Sequence, residues 1–311
     1  MKTGILLINI GSPQKPNAVE VKKYLLEFLS DYRIVDYPPW LWQPILRYII
    51  LPRRVKKITK LYAKIWKHNQ SPLIQNGKQI SDKLQKLLPE SKIYTAMRYG
   101  QPCIKDAFAF FKDNKIKNIL ILPLFPQFSH STHTSIQDIA KLYTTDNNFN
   151  IKFVNGYCQH PSYINALTLT LNNLSPDTHL VISYHGLPKR YIKNGDIYEQ
   201  ECLATTTALI QKLNLNTSQF THCYQSKFGP EAWLSPNIKD VLISLIHKNK
   251  TKVLVICPGF ASDCLETLEE VAVQYKNLFI QNGGQSFKYV PALGTDPKHI
   301  ETLNEIIQEN L

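Results

Sequence analysis

Ile119-Leu120-Ile121-Leu122-Pro123-Leu124-Phe125-Pro126 is an unbroken apolar run that stops on proline. No polar residue alternates through it, so both of its faces are expected to be buried, as in an inner strand of a parallel sheet. The run has an echo: Val253-Leu254-Val255-Ile256 stops on Cys257-Pro258-Gly259-Phe260. One strand earlier in each half, Arg98-Tyr99-Gly100-Gln101-Pro102 is answered by Lys227-Phe228-Gly229-Pro230. The order repeats while residue identity is low, which predicts two lobes built on one plan.

The remaining apolar runs fit that plan. Strands are expected at Ile5–Ile10, Ile93–Met97, Ile119–Leu124 and Ile151–Val154, then at Leu180–Ser183, Thr221–Gln225, Val253–Ile256 and Lys288–Pro291. Helical patterns separate them. One opens at Asn17 with Glu20 three residues on, in capping-box spacing; others cover Ile58–Trp66, Asn76–Leu88, Tyr198–Leu213 and Ile238–His247, and one starts at Asp263. Short β-α-β connections imply an α/β fold of two similar Rossmann-like lobes, each a four-stranded parallel sheet flanked by helices, with a cleft between them. The expected domains are residues 1–158, including a substrate lip at about 37–57, and 159–311. The helix after Pro161 is expected to bridge the lobes, and the last helix, Pro297–Glu309, to pack back on the first.

The 311 residues are 43% hydrophobic and 19% charged, a globular composition. No signal peptide and no bilayer-spanning run is evident. The six cysteines show no CxxC spacing, which argues against structural zinc and fits reduced thiols in a cytoplasm. The net charge of +12 invites an anionic partner, but the lysines are scattered and no nucleic-acid module is recognisable, so no nucleic-acid partner is expected. The chain also lacks GxGxxG, GxxxxGK[ST], GxSxG and HExxH, which excludes the usual dinucleotide, P-loop, serine-elbow and zincin sites.

Two strand ends carry chemistry. Ser183-Tyr184-His185-Gly186-Leu187-Pro188 puts a histidine where open α/β sheets place ligands. A lone histidine there is more commonly a satisfied polar group. The other is Asp263-Cys264-Leu265-Glu266-Thr267-Leu268-Glu269-Glu270. Asp263 and Glu266 have the spacing of a helix cap; Leu265, Leu268, Ala272 and Tyr275 read as a core face, with the glutamates opposite. His185 and Glu266 together can serve as acid and base near neutral pH, or hold a borderline ion such as Fe2+. Two ligands make an incomplete site, suited to one that hands its metal on.

Pro38 to Lys57 is unusual in another way. Trp40, Leu41, Trp42, Ile45, Leu46, Tyr48, Ile49 and Ile50 lie beside Arg53, Arg54, Lys56 and Lys57. Such a lip suits a membrane surface or a flat hydrophobic ligand with anionic groups; a core helix with a charged end fits equally.

At these residues the sequence resembles the ferrochelatases, which insert Fe2+ into a porphyrin, and most resembles the short bacterial protohaem type. The resemblance runs the whole length. It is carried by Leu6-Leu7-Ile8-Asn9-Ile10-Gly11-Ser12-Pro13, Met97-Arg98-Tyr99-Gly100, Leu122-Pro123-Leu124-Phe125-Pro126-Gln127-Phe128-Ser129, and the His185 segment with Arg190-Tyr191 and Gly195-Asp196. Gln225-Ser226-Lys227-Phe228-Gly229-Pro230-Glu231 with Trp233-Leu234, and the Cys257 to Glu270 segment, complete it. The resemblance implies that His185 and Glu266 are the catalytic residues and Fe2+ ligands. It implies that Arg54, Tyr62, Ser71, Arg98 and Tyr184 bind substrate. It further implies protoporphyrin IX and Fe2+ as substrates, Zn2+ or Co2+ as substitutes in vitro, no prosthetic group and no iron–sulfur cluster. A cytoplasmic location with peripheral contact to the inner face of the membrane is expected. Coproporphyrin or another tetrapyrrole as substrate, and a non-catalytic porphyrin carrier, are the alternatives. Lys227 and Pro230 replace arginines common in the family, His130 stands where cysteine is frequent, and Gln274 interrupts the carboxylate row Glu266, Glu270.

Overall fold

The computed structural model describes residues 3–66, 70–147 and 149–311. Among the described residues eight strands form two sheets: β1 (Thr3–Ser12), β2 (Lys92–Gly100), β3 (Asn118–Pro123) and β4 (Asn150–Phe153), then β5 (His179–His185), β6 (Phe220–Gln225), β7 (Lys252–Ile256) and β8 (Ser286–Tyr289). All pairings are parallel, in the orders β2-β1-β3-β4 and β6-β5-β7-β8. The second sheet repeats the first strand for strand, as the sequence echo predicts. The inner strands are the apolar runs: Ile5–Ile8, Ile121, Leu122 and Leu180–Ile182 have no exposed surface. Helices on both faces exclude water from them.

The chain divides into two compact units. One comprises Met1–Leu124, Ser129–Asn155 and Leu303–Leu311, the other Phe125–Phe128 and Gly156–Thr302. The helix Pro161–Leu169 therefore lies wholly in the second unit.

Local chemistry explains most boundaries. Asn17 caps Ala18–Ser30, its side-chain oxygen accepting from Glu20 N at 2.9 Å. The helix expected from Asn76 starts earlier, as Pro72–Leu87, because Pro72 in the first turn has no N–H to leave unpaired. The lip differs more. Pro39–Pro44, Ile45–Ile50 and Leu51–Ile65 follow one another as helix without an extended break. Pro52 offers no N–H to the turn before it, and the middle segment is wound wider, with Leu51 N reaching back to Leu46 O. Proline widened this helix rather than ending it. Within it Leu46 and Leu51 are buried, while Trp40 is 78% and Tyr48 79% exposed. The lip is thus half core and half presented surface.

Candidate active site

β5 extends to His185, two residues beyond the expected end. Strand alternation puts Val181, Ser183 and His185 on one face and Tyr184 on the other. The His185 face packs on Ile238–His247 and on the helix after β7, through Val181, Val255, Leu242, Val271 and Tyr275. His185 is half-buried. Its Nδ1 lies 2.7 Å from the Gly186 carbonyl, which can only accept, so Nδ1 carries a hydrogen and, in the neutral ring, the lone pair is on Nε2. That is the tautomer needed for a base or a metal ligand.

The turn after His185 is seated on its neighbours. Gly186 N donates to Gln225 O at 2.7 Å. A Cβ at position 186 would lie 2.7 Å from that same oxygen, so only glycine fits. Lys189 N donates to Ala232 O at 2.8 Å and Leu234 N to Leu187 O at 2.9 Å. Arg190 pairs with Glu231 at 2.7 Å.

Glu266 opens a π-helix, Glu266–Tyr275, rather than an ordinary α-helix. Wide turns are uncommon and concentrate at functional sites. They also change the faces expected from a 3.6-residue period. Thr267, Glu269, Val271 and Tyr275 are the buried positions, and Leu265, Leu268 and Ala272 are half-buried. The start is not a simple Asp263–Glu266 cap either. Asp263 Oδ1 accepts from Thr267 Oγ1 at 2.8 Å, Tyr289 OH at 2.7 Å and Ala292 N at 3.3 Å, and Thr267 Oγ1 accepts from Cys264 N at 3.0 Å. Glu266 is left half-buried beside Cys264. Burial, and then the adjoining Glu266 carboxylate, push the Cys264 thiol well above its usual range, so it stays a neutral donor to Glu266. Glu270 is tied down: Ser226 Oγ and Tyr275 OH each donate to it at 2.5 Å. Ser226 holds a left-handed backbone, φ +64°, which a non-glycine residue keeps only under constraint. Gln274 Nε2 donates to Glu269. Of the carboxylate row Glu266, Glu270, it is Glu270 that takes the Ser226 donor at the β6 end.

In one unit, His185 ends β5 and Glu266 follows its paired strand β7, where the strand order reverses. That switch point is where such sheets bind ligands. Among the described residues no three His, Cys, Asp or Glu side chains cluster as a metal site.

Tyr184, expected at the substrate, is a core residue. It is fully buried, its hydroxyl lies 3.0 Å from Thr206 Oγ1, and it faces away from His185. Arg54, Tyr62, Ser71 and Arg98 belong to the other unit. Tyr62 is buried edge-on to Tyr24 and Trp66. Ser71 is buried, and its carbonyl accepts from Gln75 N at 3.0 Å. Arg54 is half-buried, and burial lowers its pKa. Arg98 is committed within the protein: Nη2 pairs with Asp31, Nε donates to Ser135 Oγ at 2.7 Å, and its guanidinium stands 4.5 Å from the Tyr99 ring centre.

Asp31 and Gln225 went unnoticed in the sequence. Asp31 ends the first helix and reads as a surface cap, yet it collects Arg98, Tyr99 OH, Ser135 Oγ and Arg33 N. Gln225 sits within the quoted motif, but a single amide in a strand gives no signal of its contacts.

A sequence model of the ferrochelatase family matches residues 2–311. The chain belongs to the ferrochelatase family. Similar ferrochelatases include that of Yersinia enterocolitica, 40% identical over 100% of this chain and 98% of the relative, and that of Haemophilus influenzae strain Rd, 41% identical over the same shares. The coproporphyrin III ferrochelatase of Streptococcus mutans is 40% identical over 100% of this chain and 99% of the relative. Among solved structures, SirB from Bacillus subtilis with Fe3+ superposes with a TM-score of 0.61 at 12% identity, covering 100% of this chain and 96% of that one. CbiX, the terminal enzyme of sirohaem synthesis in denitrifying bacteria, gives 0.54 at 13% identity and covers both chains fully. These two share the fold. Ferrochelatase membership makes the protein a lyase of haem biosynthesis that inserts a metal ion, and favours an enzyme over a porphyrin carrier. No helix among the described residues is long and apolar enough to cross a membrane.

Proposed function

We propose that this ferrochelatase inserts Fe2+ into protoporphyrin IX, releasing two pyrrole protons as protohaem forms. The observation that carries the reading is the His185 contact: Nδ1 lies 2.7 Å from the Gly186 carbonyl, so the neutral ring presents its Nε2 lone pair at the end of β5. His185 takes a pyrrole proton, and Glu266 takes or relays the second. The two also form a brief station for the entering ion, since imidazole and carboxylate suit Fe2+ and a two-ligand site releases it readily. Zn2+ and Co2+ would follow the same route. Arg54, with Arg53 beside it, supplies cations for the propionates, and the exposed Trp40, Leu41, Tyr48 and Ile49 supply apolar surface for the macrocycle or for a membrane. Arg98 and Tyr184 are left out of this assignment, because their polar groups already serve the protein's own interior.

His185→Ala is expected to abolish Zn2+ or Fe2+ insertion into protoporphyrin while the folded CD spectrum and melting persist; full activity would overturn the assignment. A second reading, coproporphyrin III as substrate, is favoured by the Streptococcus mutans relative. Parallel rates on the two porphyrins decide between them.

A further inference from the structure

Gln225 is fully buried at the end of β6, directly beside His185 in the strand register. Paired residues of parallel strands send their side chains to the same face, in strands about 4.8 Å apart. The Gln225 side chain therefore flanks the His185 imidazole. Its Oε1 accepts from Ser183 Oγ at 2.9 Å and from the Cys257 thiol at 3.4 Å. Burial pushes that thiol well above its usual pKa, so it remains an S–H donor. Ser183 lies two residues before His185 and Cys257 directly follows β7, so one amide ties the ends of three strands. The Gln225 main-chain carbonyl then seats Gly186, whose own carbonyl holds His185 Nδ1–H.

Stability alone does not explain an amide here. Gln225 Nε2 is buried with no acceptor among the described residues. An orphaned donor costs the desolvation of the whole group, and one of the two bonds Gln225 accepts comes from a thiol, a weak donor. Leucine would fill a similar volume without the orphan.

We propose that Gln225 is a positioning residue for proton abstraction by His185, fixing the Ser183–Gly186 segment so that Nε2 is held toward the reacting nitrogen. The inference rests on the reading of His185 as the base. Misplacement of a catalytic group by about 1 Å costs on the order of a hundredfold.

The test is Zn2+ insertion into protoporphyrin by Gln225→Leu, Gln225→Met, Ser183→Ala and the Ser183→Ala/Gln225→Leu pair. We expect kcat to fall about tenfold to a hundredfold in the Gln225 variants, with porphyrin KM and melting temperature unchanged. Ser183→Ala gives a smaller loss and adds nothing to Gln225→Leu, because both remove the same bond. Wild-type kcat in a folded Gln225→Leu protein overturns the proposal. So does a loss of kcat that moves together with KM and melting temperature, which marks a merely structural amide. If neither Gln225 variant folds, unchanged kcat in Ser183→Ala overturns it. His185→Ala in the same assay separates the two claims. Activity retained there removes the base, whereas an inactive His185→Ala beside a fully active Gln225→Leu removes only the positioning role.

Discussion

Replacing Asp31 with alanine tests whether Arg98 serves the fold or the substrate. The side chains of Asp31 and Arg98 are only 12% and 14% exposed. Asp31 Oδ2 accepts from Arg98 Nη2, from Tyr99 OH at 2.8 Å and from Ser135 Oγ at 2.8 Å, while Oδ1 accepts from Arg33 N at 2.7 Å. Alanine removes all four and strands a buried guanidinium. Breaking a buried pair from one side costs about 3–5 kcal/mol. At about 2–4 °C per kcal/mol for a unit of this size, Asp31→Ala should melt about 6–20 °C lower. Arg98→Met should cost less, about 2 kcal/mol, because Asp31 keeps its three other donors. The double variant should recover about 2 kcal/mol relative to additivity, since neither charge is left alone. Differential scanning calorimetry of the four proteins, with porphyrin KM measured in parallel, gives the answer. A melting shift below about 2 °C for Asp31→Ala would refute the energetic argument. A large rise in porphyrin KM for the double variant, with the expected recovery of stability, would return Arg98 to the substrate.

Three further outcomes follow from the same contacts. Burial lowers His133 to about 3, and His179 and His222 to about 4. The unfolded chain binds protons there that the native protein refuses, so stability present above about pH 6.5 is lost as pH falls toward 3. His133 alone should remove about 2 kcal/mol between pH 7 and pH 5, and urea unfolding at the two values checks it; equal midpoints would contradict the burial. Gly186→Ala should lose most of its activity while remaining folded, because a Cβ 2.7 Å from Gln225 O forces the His185 turn to move; wild-type kcat would show that the turn has slack. Trp40→Ser with Tyr48→Ser should leave melting unchanged, these rings being exposed, but weaken protoporphyrin binding or retention on anionic vesicles. Unchanged affinity for both would remove the lip from the function.

The apolar runs and their repeated order by themselves determined the two four-stranded parallel sheets, because strands buried on both faces admit no polar alternation and short crossovers permit few topologies. The positions of His185 and Glu266 follow from the same runs: one ends a buried strand and the other opens the helix after the next strand of that sheet. What the tertiary structure alone decided concerns partners. Tyr184 and His185 are neighbours in sequence, yet a period of two sends one into the core and the other to the site. Arg98 reads as a substrate cation until Asp31, 67 residues away along the chain, is found to have claimed it. The wide turns of Glu266–Tyr275 bury Glu269 and leave Leu268 only half-buried, against a 3.6-residue reading of the same letters. Gln225 has no signature at all until three strand ends converge on it. Residue type and spacing report burial and local geometry, whereas which charge or amide meets which donor depends on contacts between segments far apart in the chain.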